Sequence, residues 1–578
     1  MAKEYDVVII GAGLAGLSLA RHLLLETDST ILLVDRRKEP QKGHQKVGES
    51  LVQVGGYYLT KVLDLEEYVC QSHYLKFNLR FYWPTPGLPA EDFRDYSKSY
   101  SRKISDIANF QLDRNLFEEH LLTCNKADPR LTYMDDIGVP DVELSTTGGD
   151  HVVRFGEIEA HCRWVIDTTG QGAWLKRRMD LAVESPIQHG ATWCWVDGLV
   201  DIEKLTERSW TEVRHDPQRR QAGHFPAFLA TNHFCAEGCW FWVIPLHGKT
   251  SLGLVYDHAV INPSDVPDAE TMIEHVCRTW PLFARDLPQR KVLDEGRYVT
   301  YAYGAKQTIS PDRWALSGMS GRFSDPLYSP GSDLIAFYNT LIVDAIQSAP
   351  EDLPEKSERA ERVMQAVYEA YVPSFAVSYD CLGDQECFTL KYGWELAIYF
   401  GFYVFPFVNG LMTNSEFVPG FLRKFGLLGP VNKNLHQLLS DYFQWKKTQV
   451  APQSEPKLTD FLDIPSLANS EKMFYEMGWS APETLDVLEA QYQRMREFAR
   501  FIAVHVCASV VGDPEAVMNA ALVKELKLKS LRFDPKAFQA LYESTKGSRE
   551  MYEWSFDARK LEALLSSAPM TAAVAVGD

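Results

Sequence analysis

One short pattern near the start of the chain constrains the fold more than anything after it. Tyr5–Ile10 is an apolar run rich in β-branched residues, and the turn Gly11-Ala12-Gly13-Leu14-Ala15-Gly16 follows it directly. Leu14, Leu17, Leu19, Leu23 and Leu24 then recur in a helical pattern, and Thr30–Val34 reads as a second strand ending at Asp35. Strand, glycine turn, helix and strand in this order open a doubly wound α/β sheet of the Rossmann type. Gly11 permits the tight turn, Gly13 lets a pyrophosphate approach the backbone, and Gly16 lets helix and strand pack closely. The helix N-terminus offers unpaired N–H groups and a positive dipole end to phosphates. Asp35, with Arg36 beside it, stands where a ribose hydroxyl needs an acceptor. No second fingerprint of this kind occurs, so one dinucleotide site is expected, with reduced cofactor arriving from elsewhere.

At 578 residues the chain exceeds what one hydrophobic core normally organises, so at least two structural units are expected. Strand-like runs recur at Leu79–Trp83, His151–Phe155, Cys162–Ile166, Ala191–Val200, Cys239–Ile244 and Ser251–Tyr256, and they predict a second, substrate-facing sheet. The polar stretch Arg36–Glu49 reads as a mobile loop. From about Ser332 the pattern turns helical, with joints expected near Pro419–Pro430 and Ala451–Pro456 and a disordered tail over Ser566–Asp578. Trp394–Met412 approaches spanning length, but Glu395, Pro406 and Asn409 interrupt it, and it reads as buried helix.

The formal net charge of −19 argues against a phosphate-tracking surface and excludes a nucleic-acid partner from the expectations. The ten cysteines are scattered; neither Cys235/Cys239 nor Cys381/Cys387 has companion ligands at zinc spacing, so reduced thiols and no metal site are expected. The N-terminus runs from Met1 almost directly into the first strand, without the basic, apolar and cleavage segments of a secretion signal, and the expectation is a cytoplasmic protein.

Several motifs carry chemistry. In Trp240-Phe241-Trp242-Val243-Ile244-Pro245, strand alternation projects Trp240 and Trp242 to one face as an aromatic wall, and Pro245 is expected to end the pairing. Two core tryptophans are the plainer reading. Gly48-Glu49-Ser50 precedes Lys76, which lies in Tyr74-Leu75-Lys76-Phe77-Asn78-Leu79-Arg80-Phe81-Tyr82-Trp83. A lysine is ordinarily a solvated surface group. Aromatic and aliphatic flanks predict instead a desolvated amine with a depressed pKa, suited to act as nucleophile or hydrogen-bond donor. Val165-Ile166-Asp167-Thr168-Thr169-Gly170 reads as a strand returning to the cofactor edge or as an ordinary strand-to-turn exit, and Arg114 either contacts the cofactor or caps a helix.

Over Lys3–Val343 these motifs, with Asp325-Pro326-Leu327-Tyr328-Ser329-Pro330-Gly331, resemble the flavin-dependent halogenase family; the likeness is weak in the helical last third. The resemblance implies an FAD-binding core over residues 1–343, with a substrate-side sheet inserted at about 72–110 and 185–305, and a helical region over 344–578 covering the substrate pocket. It implies FAD, supplied as FADH2 by a separate reductase, with chloride or bromide oxidised to hypohalous acid that reaches Lys76 through a tunnel beside the tryptophan wall. Lys76 then forms a haloamine or donates a hydrogen bond next to a small aromatic substrate, free or bound to a carrier protein. The fingerprint residues, Asp35, Arg36, Gly48, Glu49, Ser50, Arg114, Asp167, Asp325 and Gly331 fall to the cofactor. Trp240, Trp242, Pro245, Tyr328 and Ser329 fall to the tunnel and substrate.

The chain departs from the family at three places. Members acting on indoles carry a glutamate where this chain has Tyr328, which points to a phenolic ring, already activated by its own hydroxyl. Pro330 has no N–H to give a halide, leaving the Gly331 and Ser332 amides. Met319 replaces an aspartate that many related flavoproteins direct at the ribityl chain. Two other readings share the fold: a flavin monooxygenase that hydroxylates its substrate, and a flavin-binding module without catalysis that serves as a partner.

Overall fold

The computed structural model describes residues 3–38, 44–138, 140–216, 225–449, 455–468 and 470–566. Its first sheet is the expected doubly wound one. Lys3–Ile10 pairs in parallel with Ile31–Val34 on one side and Ile158–Asp167 on the other, and Leu131–Met134 and Trp314–Leu316 extend it in parallel at either end. Val7–Ile10 and Ile31–Val34 are buried along their whole length, as parallel strands covered on both faces must be. Helix Leu14–Glu26 packs on this sheet. Its N-cap, Gly13, carries no side chain to satisfy the first-turn N–H groups, so these remain open to a ligand.

The second sheet runs Val292–Tyr298, His189–Asp197, Lys249–Asp257, Cys239–Leu246, Thr231–Ala236, Leu79–Pro84, Tyr96–Tyr100 and Leu458–Thr459. It is antiparallel except where Leu79–Pro84 meets Thr231–Ala236 and where Leu458–Thr459, from the helical third, is added beside Tyr96–Tyr100. Alternation sorts its two faces. Trp193, Trp195, Trp240 and Trp242 face the main core, whereas Cys194, Val196, Phe241 and Val243 pack with Trp280 and Phe283 beneath helix Ala269–Thr279.

The structure corrects several expectations. His151–Phe155 and Cys162–Ile166 belong to the first sheet: Ile158–Asp167 folds back on His151–Phe155 and also lies beside the N-terminal strand, so strand alternation alone did not identify the sheet. Pro245 does not end its strand, which continues to Leu246. Pairing with Thr231–Ala236 stops at Val243, and only the hairpin partner remains beside the proline. The described residues of the loop after Asp35 form no helix or strand, and its end is docked: Gln45 is buried and donates to Ser251 Oγ at 2.8 Å, and Lys46 pairs with Glu118 at 2.7 Å.

The last third is helical as expected, with long helices at Leu353–Ala376, Phe417–Lys447 and Ala481–Val511. No joint forms at Pro419–Pro430. Pro419 lies in the first turn of Phe417–Lys447, where its missing N–H has no partner to lose, and the helix continues through Pro430. Most of the Ala451–Pro456 joint, and the tail beyond Ser566, lie outside the described residues. The apolar stretch after Trp394 is buried, running from helix Gln385–Ile398 through a π-helical turn, Tyr399–Val404, into Phe405–Val408. No helix among the described residues is long and apolar enough to cross a membrane.

A methyl group added at Gly16 meets the Gly11 carbonyl and the Thr168 hydroxyl, both held in the sheet crossing. Gly16→Ala is expected to destabilise the fold by about 1–3 kcal/mol, read as a lower urea midpoint. An unchanged midpoint would show that helix and strand have slack at this crossing.

Candidate functional site

The glycine turn, the loop after Asp35 and the second sheet enclose a cavity of about 750 Å³. Gly11 has a φ of +110°, and a Cβ there would lie 2.6 Å from the Thr168 carbonyl, so only glycine fits. At Gly13 a Cβ would meet nothing within 4 Å, which leaves the backbone open toward the cavity. Ala15 lines the same wall and Arg36 the opposite one. Asp35 accepts the Ala12 N–H at 2.8 Å and pairs with Arg37 at 3.1 Å. Burial works to raise the Asp35 carboxyl, but the hydrogen bonds and charge of Arg37 hold it below its ordinary value.

Gly48, Glu49 and Ser50 all line this cavity, and Glu49 and Ser50 are bound to the second sheet. Glu49 accepts from Trp195 Nε1 at 2.7 Å and from Ser251 Oγ at 2.5 Å, and Ser251 also accepts from Trp242 Nε1 at 3.0 Å. Burial outweighs these donors and pushes Glu49 up to about 7. Trp240 and Trp242 share one face of the cavity with ring centroids 5.8 Å apart, as the wall reading requires. Trp240 Nε1 donates to the Tyr379 hydroxyl at 2.7 Å. Pro245 is buried in the same strand but does not line the cavity.

Arg114 opens helix Arg114–Lys126, whose cap is Asp113, and donates to the Val47 carbonyl at 2.7 Å, so it holds the loop that carries Gly48 while also lining the cavity. Asp167 is buried beneath the cavity. It accepts from the Thr169 N–H at 2.8 Å and the Leu175 N–H at 2.7 Å, and its turn presents Thr168, Thr169 and Gly170 instead. Asp325 is likewise fully buried, against His189 at 2.6 Å and the Tyr301 hydroxyl at 2.8 Å, and it orients the loop behind it. In that loop Tyr328 and Ser329 adopt φ values of 72° and 61°, left-handed geometry unusual for such residues. Pro330 then caps helix Gly331–Ile346, and Ser329, Gly331, Ser332 and Met319 face the large cavity.

Lys76 lies just beyond this wall. It sits between the short strand Tyr74–Leu75 and Leu79–Pro84, only 3% exposed, where its Nζ donates to Ser50 Oγ at 2.8 Å and to the Leu51 carbonyl. Burial pulls its amine down to about 7, as its apolar flanks predict. Ser50 Oγ also meets Ser329 Oγ at 3.1 Å and Thr231 Oγ1 at 2.7 Å, so one layer of hydroxyl groups separates Lys76 from the large cavity. On its other side Lys76 lines a second cavity of about 70 Å³, together with Tyr328, Asp333, Tyr392, Glu395 and Tyr399. The tryptophans therefore shape the large cavity, while the hydroxyl layer and the Tyr328–Ser332 turn divide it from the small one.

Sequence reading missed Asp333, Glu395 and Lys391. Glu395 accepts from Lys391 Nζ at 2.8 Å, and that ammonium also donates to the Tyr328 hydroxyl at 3.0 Å. Each is a charged side chain within an apolar helix, which was the available signal.

The residues present fit FAD. The glycine turn and open helix N-terminus suit a pyrophosphate, since a Cβ at Gly13 would meet nothing within 4 Å, and Asp35 lines the same cavity at the end of the second strand, where a ribose needs an acceptor. No group of acidic, histidine and cysteine side chains among the described residues could hold a metal ion.

A family model described as FAD dependent oxidoreductase matches residues 6–107. The chain is 26% identical over 432 residues to the flavin-dependent halogenase chlA of Dictyostelium discoideum, across 69% of this chain and 70% of that one. It is 23% identical over 346 residues to the 1H-pyrrole-2-carbonyl-[peptidyl-carrier protein] chlorinase of Pseudomonas fluorescens, across 57% and 72% of the two chains. In fold it is similar to the crystal structure of halogenase PltM, with a TM-score of 0.63 and 17% identity over 85% of this chain and 98% of that one. With the fingerprint, the tryptophan strand and the cavity, these likenesses make the chain an FAD-dependent oxidoreductase similar to the flavin-dependent halogenases, for which halide is the co-substrate.

Proposed function

We propose that this protein halogenates a phenolic ring held in the small cavity, with Lys76 as the catalytic residue that delivers the halogen. The observation that carries the reading is the buried Lys76 amine, brought down to about 7 and one hydroxyl layer from the cofactor cavity. FAD, when bound in its reduced form, supplies the reducing power with which oxygen and a halide become hypohalous acid. Gly331 and Ser332 offer the halide their amides, since Pro330 has none to give. The hydroxyl layer and the Tyr328–Ser332 turn exclude the organic substrate from the cofactor cavity, which Trp240 and Trp242 shape, and Ser50 and Ser329 mark the passage to Lys76. There the neutral amine takes the halogen as a haloamine and water leaves.

At about 70 Å³ the small cavity is roughly half the size of a cavity that takes up benzene, so a ring enters it by moving the lining side chains apart. Tyr328, Tyr392 and Phe461 offer faces for that ring, and Asp333 and Glu395 offer acceptors for a phenolic hydroxyl. The substrate is a free phenol or one presented on a carrier protein, as the name of the pyrrole chlorinase describes for that enzyme. Reduced FAD comes from a separate reductase, because the sequence has a single dinucleotide fingerprint.

Lys76→Met is expected to bind FAD and consume oxygen while its yield of halogenated phenol falls by about 100-fold or more, measured by mass spectrometry with reduced FAD and bromide. Near-normal yield would remove Lys76 from the chemistry, and a hydroxylated product from the native chain would favour the monooxygenase. NADH alone should support negligible turnover until a flavin reductase is added; rapid NADH oxidation by the pure protein would contradict the two-component reading.

The pH dependence follows from the sign of the Lys76 shift. The amine is protonated below about 7 and free above it, and Asp333, which faces it and is raised to about 7, loses its proton in the same direction. Halogenated product per oxygen consumed should therefore rise with pH through this range. A yield that falls as pH rises would exclude the neutral amine.

A further inference from the structure

We infer that Asp333 is a second catalytic residue, the carboxylate that takes the proton from the substrate and returns it to Lys76. The inference rests on the Lys76 reading above. Transfer of halogen from a haloamine to an aromatic ring releases a proton from the ring carbon, and the Lys76 nitrogen must gain one. The bonds balance as follows: the C–X bond forms, the N–X bond breaks with its electron pair left on Nζ, the ring C–H pair restores aromaticity, and the proton passes through a carboxylate to Nζ. The sum is ArH plus RNHX giving ArX plus RNH2. The only oxidant needed is hypohalous acid.

Asp333 has the place and the setting for this step. It lines the small cavity with Lys76, is 2% exposed, and projects from the first turn of helix Gly331–Ile346. Its Oδ1 accepts the Gly55 N–H at 2.7 Å and its Oδ2 accepts the Tyr399 hydroxyl at 2.7 Å. The π-helical turn at Tyr399–Val404 brings that tyrosine in, and its hydroxyl also accepts the Val54 N–H at 3.2 Å. Each carboxylate oxygen keeps a lone pair beyond these bonds. Burial raises the carboxyl to about 7, and the charge of Lys76 works against that rise, so the two groups lie close in proton affinity.

The other carboxylate in the cavity is Glu395. Both of its oxygens accept from Lys391 Nζ, at 2.8 and 3.1 Å, and His436 lies 3.6 Å away. Burial works to raise Glu395, but the charges of Lys391 and His436 hold it below its ordinary value, which suits an anchor better than a proton carrier. The remaining titratable groups facing Asp333 are Tyr371, Tyr399, Tyr392 and Tyr328, all pushed upward by burial and therefore neutral.

The test compares phenol with ring-deuterated phenol, using reduced FAD and bromide. The native chain should form bromophenol without a primary isotope effect, since proton loss is fast with Asp333 in place. Asp333→Asn keeps the shape and, through its carbonyl, the acceptor for the Gly55 N–H, while its NH2 faces the Tyr399 hydroxyl as a donor. It should lower bromophenol formation by about 100-fold and develop a primary isotope effect, with circular dichroism reporting the fold. Tyr399→Phe removes one donor to the carboxylate and should move the pH midpoint of product yield upward. A merely structural Asp333 would give neither the isotope effect nor the movement, and either absence overturns the proposal. So does an isotope effect that appears in the charge-neutral pair Lys391→Met, Glu395→Gln but not in Asp333→Asn. Native protein that brominates no phenol at all overturns the reading beneath it, and the proposal with it.

Discussion

The hydrogen bonds of the Gly48-Glu49-Ser50 segment hold the site together. This segment is the tether between the second sheet and the turn ahead of helix Gly331–Ile346. Glu49 takes the indole N–H of Trp195 and the hydroxyl of Ser251 from the second sheet. Ser50 meets Thr231 in that sheet and Ser329 in the turn ahead of helix Gly331–Ile346. With these contacts, the cofactor cavity and the small cavity share one partition.

That partition is polar but dry, and its chemistry follows from dryness. Glu49, Lys76 and Asp333 are held in surroundings that penalise charge, and each is brought to about 7 from a different ordinary value. Acids rise and the amine falls by the same physical cause. The hydrogen bonds to Glu49 and Asp333 limit the shift without cancelling it. By contrast, Glu395 keeps a cation in contact and goes the other way.

Much of this was legible in the sequence, for identifiable reasons. The glycine turn and the two strands around it depend on local sterics, so Gly11, Gly13 and Gly16 could be given their tasks from spacing alone. Lys76 was legible because its flanks are apolar on both sides, which forces desolvation whatever the tertiary fold. Sheet membership was not legible for His151–Phe155, because alternation reports which face is buried and says nothing about the neighbouring strand. Pro245 misled for a related reason: the cost of its missing N–H depends on whether a partner strand reaches that far. Asp333 escaped notice because a carboxylate on a helix reads as a solvated group until the elements packed around it are known, and Glu395 was read only as an interruption of an apolar stretch. The joint expected at Pro419–Pro430 failed because Pro419 falls in the first turn, where it has no hydrogen bond to break, and the helix runs on through Pro430 in its interior.

The first turn of helix Gly331–Ile346 faces two ways: Gly331 and Ser332 toward the large cavity, Asp333 toward the small one. Consecutive residues on a rigid helical turn cannot move independently, so the two compartments are thermodynamically linked. Any ligand in the first that draws the turn toward itself changes the energy of every contact in the second. Linkage makes the effect reciprocal: whatever factor the cofactor imposes on substrate affinity, the substrate imposes on cofactor affinity. A ligand that exchanges between the large cavity and solution is thereby held longer when the small cavity is already filled.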